Sequence, residues 1–255
     1  MSDTVSYVDM ARMLASNEVE QRESAFLQLT KFFETYDDAD RLQMLRLWKG
    51  FFVGFCLVDK TDNQLKTADI VLEVVDKLSP FVLPVYLSAF WELITKEWHL
   101  YDKFTLDKFL SLMRRVFSAT LRFIFSTSVD PMVFVKTYQD FLFEKPKAKG
   151  CTYHIFDVLS DELPRIVGEE LVRNADNKEA VYDRAVIILE GFFMFSNKDK
   201  TIRTEKELRR VLTSLDEEII GEVLEKINSE DWNLRHKYLT LIFEVLNANQ
   251  SESEE

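Results

Sequence analysis

Apolar residues recur at three- and four-residue intervals along most of the chain, the period of an amphipathic helix rather than the two-residue alternation of a half-buried strand. Start signals agree with that period. Asn17 with Glu20 forms a capping-box-like start for Glu18 to Tyr36, and Asp40 precedes Arg41 to Val58. Two more helices are expected over Asn63 to Leu78 and Pro80 to Lys96, the second with Ser79 as its cap and Pro80 in the first helical position. A fifth covers Thr105 to Phe125, Asp130 and Pro131 open a short helix to Phe143, and Lys145 to Gly150 reads as a loop. Thr152 to Arg173 is helical with a break or kink expected at Pro164, which lacks an amide donor and clashes with the preceding turn. Ala180 to Phe195 follows, Thr204 with Glu207 and Ser214 with Glu217 mark two further starts, and Ser229 precedes a last helix to Asn247.

In pairs, these helices recur at roughly 40-residue intervals, the range of HEAT and armadillo arrays. The predicted fold is therefore all-α: stacked antiparallel helix pairs in a HEAT/armadillo-like α-solenoid. It is expected as a single helical-repeat domain over residues 1–247, followed by an acidic, disordered tail at 248–255. A compact irregular helical domain is the competing reading, because no residue signature repeats. On the Thr105 helix, Phe109, Leu110, Met113, Val116, Phe117, Leu121 and Ile124 share one face, which makes that face core. Lys108, Arg115 and Arg122 lie opposite at seven-residue spacing and are expected to form a cationic stripe towards solvent. Arg114 falls between the stripe and the apolar face, where internal pairing is open to it.

Composition narrows the function. The 255 residues carry 32 Lys plus Arg against 44 Asp plus Glu, a formal charge of −12. Such a chain does not coat nucleic acid by overall charge, although a local basic patch stays open to it. Six glycines and five prolines are too few for the many tight turns of an all-β protein. Two cysteines cannot build a disulfide framework, and the first residues, MSDTVSYVDMARML, lack the regions of a secretory signal, so an intracellular, reducing compartment is expected. The uncharged stretch Leu78 to Trp91 is shorter than the ~20 residues a membrane span needs.

Catalytic signatures are missing: there is no GxGxxG, P-loop, HExxH or GxSxG. Cys151 and His154 could share a helix face as a thiolate–imidazole pair, but a structural role is favoured since no second ligand pair is close in sequence. Gly50 and Gly54 form a GxxxG that reads as close helix packing. Lys145, Lys147 and Lys149, in the loop KPKAKG, are candidates for phosphate contact or a weak nuclear import signal. No cofactor, metal or small-molecule substrate is expected.

Two segments go beyond pattern: LWKGFFVGFCLVDK at Leu47 to Lys60, and FWELITKEWHLYDKFTLDKFLSLMRRV at Phe90 to Val116. The second joins Phe90 and Trp91, then Glu97 and Trp98, Asp102, and Leu106 to Phe109 leading into an Arg-bearing helix at Arg114. Trp48, Lys49 and Gly50 mark the first, and a weaker echo continues at Gly150, His154 and Asp157. Over about residues 17–164 the chain resembles the nucleolar ribosomal RNA-processing protein one family. It departs from that pattern in continuing TDNQ where members commonly carry a proline, and in ending SESEE where many have a long basic tail.

The resemblance implies a non-enzymatic helical scaffold of the nucleus and nucleolus. It would sit on precursors of the large (60S) ribosomal subunit, be required for processing their RNA, and bind other ribosome assembly factors. Pre-ribosomal RNA would be met through the local basic face. Trp48, Phe90, Trp91 and Trp98 are expected to pin adjacent helices together. Asp102 and Asp107 are expected near the start of the Thr105 helix, where a carboxylate favours the N-terminal dipole. A generic HEAT-like adaptor in transport or signalling is the alternative, and an enzyme using Cys151 and His154 a distant third.

Overall fold

The computed structural model describes residues 5–35, 40–126, 129–143, 148–199, 202–215 and 220–221, and all regular structure among them is helical. The helices are α1 (Tyr7–Leu14), α2 (Val19–Thr35), α3 (Arg41–Cys56), α4 (Thr61–Lys77), α5 (Leu83–Glu97), α6 (Lys103–Ser126), α7 (Met132–Tyr138), α8 (Lys149–Arg173), α9 (Lys178–Asp199) and α10 (Ile202–Thr213). Alternate helices are neighbours: α1 packs on α3 and α3 on α5, while α2 packs on α4. That is how helix pairs stack in an α-solenoid, the all-α class expected from the sequence. Contacts divide the chain into two compact units, Met1–Thr120 with Asp140–Cys151, and Leu121–Gln139 with Thr152–Glu255.

In the first unit α3 is the central helix. It buries Met44, Leu47, Trp48, Gly50, Phe51, Phe52, Gly54 and Phe55, residues that cover a little more than half of its circumference and leave Leu42, Arg46, Lys49 and Val53 on an exposed side. Each part of the buried face has its own partner. The Trp48 ring lies 4.6 Å from that of Tyr86 and 4.9 Å from that of Phe90, both on α5, and its Nε1 donates to the Tyr86 carbonyl at 2.8 Å. Phe51 meets Phe26 of α2 edge-on at 5.3 Å, and Phe52 meets Phe109 of α6 at 5.0 Å. The glycine side, at Gly50 and Gly54, touches backbone: a Cβ on Gly50 would lie 2.8 Å from the Ala11 Cα, and one on Gly54 would press into the Leu14 carbonyl and stand 3.1 Å from the Phe26 ring. The GxxxG therefore lets α1 pack against α3 with almost no side chain between them.

Several boundaries differ from the sequence expectation for local reasons. A helix, α1, precedes those predicted; Ser6 caps it by accepting from the Asp9 N–H at 3.1 Å, and Tyr7, Met10 and Leu14 are buried. At α2 the hydroxyl that takes the Glu18 N–H is that of Ser16, not a group of Asn17. Helix α5 starts at Leu83 rather than Pro80, with Pro84 in its first turn; Ser79 instead accepts from Val82 and Leu83 through its backbone carbonyl, closing a turn that leaves Phe81 exposed. Helix α8 begins at Lys149 within the expected loop and runs without a break through Pro164. Leu159, Leu163, Ile166 and Val167 around that proline are buried, and their packing outweighs one missing donor. Thr204 lies inside α10 rather than at its start. Apart from Leu215 and the helical Ile220 and Gly221, the expected helices after Ser214 and the acidic tail lie outside the described residues.

In the second unit, Phe192 of α9 packs edge-on against Phe156 of α8 at 5.1 Å, and Phe123 against Phe134 of α7 at 5.9 Å. Arg184 of α9 donates through Nη1 to the carbonyls of Ile124, at 2.5 Å, and Val129, at 3.1 Å, so a later helix satisfies the C-terminal end of α6.

Helix propensity alone would make Gly54→Ala stabilising by ~1 kcal/mol. The close α1 backbone reverses the sign, and a net loss of about 1–3 kcal/mol is expected. Urea unfolding followed by circular dichroism checks this, and an unchanged or raised midpoint would contradict the α1–α3 contact.

Candidate functional site: the junction built by the two motif blocks

The two motif blocks meet where the C-terminal end of α3, the 3-10 turn Trp98–Leu100 and the start of α6 come together. Asp102 begins α6 by accepting from the Thr105 N–H at 2.7 Å through its carboxylate, and this backbone donation holds its carboxyl below the usual range. The Tyr101 ring stacks on Phe109 at 4.5 Å and 15°, and Phe109 in turn lies against Phe52 and Phe55. The Tyr101 hydroxyl donates to Glu97 at 3.3 Å; burial first, and then the Glu97 charge, push its phenol far above its ordinary value. Glu97 also takes the Lys49 ammonium at 2.6 Å. Trp98 is half-buried, and its indole lies so close to Gly150 that a Cβ there would come within 2.7 Å of Nε1. The weak echo of the motif at Gly150 is thus the surface on which Trp98 rests.

Lys108 is placed differently from the expectation. It does not face solvent: its ammonium donates to the carbonyls of Cys56 and Val58, each at 2.9 Å, and of Phe55 at 3.3 Å. These carbonyls lie at and just beyond the end of α3; that of Phe55 also accepts from the Val58 N–H at 3.2 Å and that of Val58 from the Gln64 side chain at 2.9 Å, so the cation adds to local donors, and it suits that end of the dipole. Arg115 likewise turns to a neighbour, forming an ion pair with Asp69 of α4. The stripe assumed that the face opposite the core is wet; α3 and α4 reach around α6 and offer acceptors instead. Arg122, on the part of α6 in the second unit, is exposed, as are Arg114, Asp107 and Lys149. Lys145 and Lys147 lie outside the described residues.

Among the other motif residues, Trp48, Phe90, Trp91 and Phe109 are buried, as expected of rings that pin helices together. The sequence reading missed Asp69 as the partner of Arg115 and the α3 carbonyls as those of Lys108. The only available signal was that α3 ends in LVDK without a glycine to satisfy its last carbonyls.

Cys151 is buried, and desolvation pushes its thiol far above the ordinary value. A reactive cysteine needs the opposite environment. No three His, Cys, Asp or Glu side chains are grouped to hold a metal ion among the described residues, and no helix among them is long and apolar enough to cross a membrane. The junction binds helices to one another.

Reversing Lys108, Arg115 and Arg122 together is therefore a folding experiment. Lys108→Met, which keeps most of the apolar stem, is expected to cost about 1–3 kcal/mol by taking the ammonium from the Cys56 carbonyl and loosening the end of α3, whereas Arg122→Glu should stay within about 0.5 kcal/mol. Thermal unfolding of the two single variants separates them. Equal midpoints would mean that the Lys108 cap contributes nothing.

The sequence matches the family described as "Nucleolar protein, Nop52" over residues 5–253. The ribosomal RNA processing protein 1 homolog of Drosophila melanogaster is 28% identical over 177 residues, which cover 64% of this chain and 25% of that protein. The human ribosomal RNA processing protein 1 homolog B is 23% identical over 183 residues, covering 67% and 24%. The mouse homolog A is 25% identical over 175 residues, covering 64% and 35%. The chain thus spans about a quarter to a third of the length of these relatives. With the match running through both motif blocks and nearly end to end, this chain belongs to the Nop52 family of nucleolar proteins.

Proposed function

We propose that this protein is a non-catalytic ribosome biogenesis factor, a helical scaffold on nucleolar precursors of the large ribosomal subunit that is required for processing their RNA. The observation that carries this reading is the family membership, which includes relatives named for ribosomal RNA processing. The use made of the motif residues supports it. Trp48, Lys49, Gly50, Phe90, Trp98, Phe109 and Lys108 are engaged in packing, ion pairing and capping, the work of a rigid scaffold.

Its mechanism is stoichiometric: bound to an assembly intermediate, the protein holds that particle in a form competent for RNA cleavage by other factors. Contacts to proteins supply most of the affinity, in keeping with a charge of −12. RNA is met only locally, with the exposed Arg122 and Lys149 as candidate phosphate contacts.

A tagged full-length copy is expected to concentrate in the nucleolus and to co-sediment with large-subunit precursors. Its depletion should cause unprocessed large-subunit RNAs to accumulate on a northern blot. Normal processing after depletion, or a tag excluded from the nucleolus, would overturn the proposal. Arg122→Glu should weaken particle association without moving the unfolding midpoint, and adding Lys149→Glu should weaken it further.

A further inference from the structure

The close approach of α1 to α3 leaves an apolar groove on the surface of the first unit. Ala11 and Ala15 of α1 and Gly50 of α3 form its floor, with no side chain long enough to fill it, while Val8, Leu45 and Val53 stand at its sides. The cavity measures about 560 Å³ and opens to solvent. Val8 and Val53 are each 38% exposed. Leu42, 55% exposed and one turn before Leu45, continues the apolar line along α3.

The remaining lining residues are Arg12, Arg46 and Lys49, all basic in a strongly acidic chain. Arg12 has Asp9 at 3.6 Å and Lys49 has Glu97 at 2.6 Å, but both cations are more than half exposed, and such pairs are easily exchanged. No acidic side chain lines the groove among the described residues. From Leu45 to Val53 the groove follows α3 for about 12 Å, or two helical turns.

We propose that this groove seats an acidic amphipathic helix from another protein. Its leucine-like side chains enter above Ala11 and Gly50, and its carboxylates meet Arg12, Arg46 and Lys49 at the rim. Apolar anchors at i, i+3 or i+4, and i+7 fit a groove of this length, and opposite charge selects the partner and its direction. RNA is the weaker match: the same cations attract phosphate, but the lining holds no aromatic ring on which a base could stack. The inference rests on the scaffold reading only in taking the occupant to be a protein.

Fluorescence anisotropy with the full chain tests it, using two synthetic peptides of about 14 residues, the length of four helical turns. Both carry leucine at i, i+4, i+7 and i+11; one has Glu and the other Lys at the exposed positions. A single-stranded RNA oligonucleotide is the third probe. The Glu peptide is expected to bind at least about tenfold more tightly than the Lys peptide, a preference that shrinks in high salt. Val53→Glu, which carries a carboxylate into the apolar seat, should weaken binding of the Glu peptide at least about tenfold, and Arg46→Glu about fivefold. Arg46 is exposed on α3, so its variant keeps the test valid if Val53→Glu disturbs folding.

Equal binding of the two peptides, no binding of either, or RNA binding abolished by the same variants would overturn the proposal. The scaffold reading fails separately. A chain that binds the Glu peptide but is missing from pre-ribosomes would overturn that reading and support the groove. Association with pre-ribosomes but no peptide binding would do the reverse.

Discussion

Much of the first unit follows from the need to cover the broad apolar face of α3. A helix that buries Trp48, Phe51, Phe52 and Phe55 together with Gly50 and Gly54 buries more than one neighbour can cover. It needs neighbours in several directions, and the chain supplies α2, α5 and α6 through aromatic contacts. The glycine side is covered by α1, whose backbone approaches Gly50 and Gly54 too closely for even a methyl group, while Leu42, Arg46, Lys49 and Val53 stay exposed. Two kinds of contact thus divide the buried face of one helix: wide, ring-filled packing against α2, α5 and α6, and backbone packing against α1. The second kind also creates the groove, since helices that touch at their backbones have no side chains left to fill the crease above.

The motif blocks that mark the family have the same logic. Their aromatic residues fill the space between α3, α5 and α6, and their charged residues finish helix ends: Asp102 begins α6, and Lys108 completes α3. In the second unit Arg184 does for α6 what Lys108 does for α3. Stacked helices that end without a glycine cap need donors for their last carbonyls, and a long cation on a neighbouring helix is well suited to provide them. Trp48, Asp102 and Lys108 of this pattern serve the requirements of stacking.

Much of this was legible in the sequence because helix period and start signals are local. Asp40 caps α3 as its position predicts, and the face of α6 that carries Phe109, Met113, Val116 and Phe117 is the buried one. Departures arose where a distant element decided the outcome. Pro164 reads as a break in isolation, yet the apolar residues around it keep α8 continuous. Lys108 and Arg115 read as solvent-facing from the period of their own helix, because one helix does not show which neighbours will offer it acceptors. Helix α1 had a visible signal, Ser6 with Asp9 ahead of Tyr7, Met10 and Leu14, but it is only eight residues long. The groove could not be read at all, since it exists only once α1 and α3 are docked.

The Lys108 contact also bears on the order in which the chain folds. The Cys56 carbonyl at the end of α3 accepts from a residue 52 positions later, a contact that cannot form while only α1 to α5 have left the ribosome. Arg184 delays completion of α6 over a similar distance. Each of these helix ends thus gains its long-range donor only when a later helix arrives. A fragment that stops before Lys108 would therefore be poorly fixed at the end of its central helix, even though every residue of that helix is present.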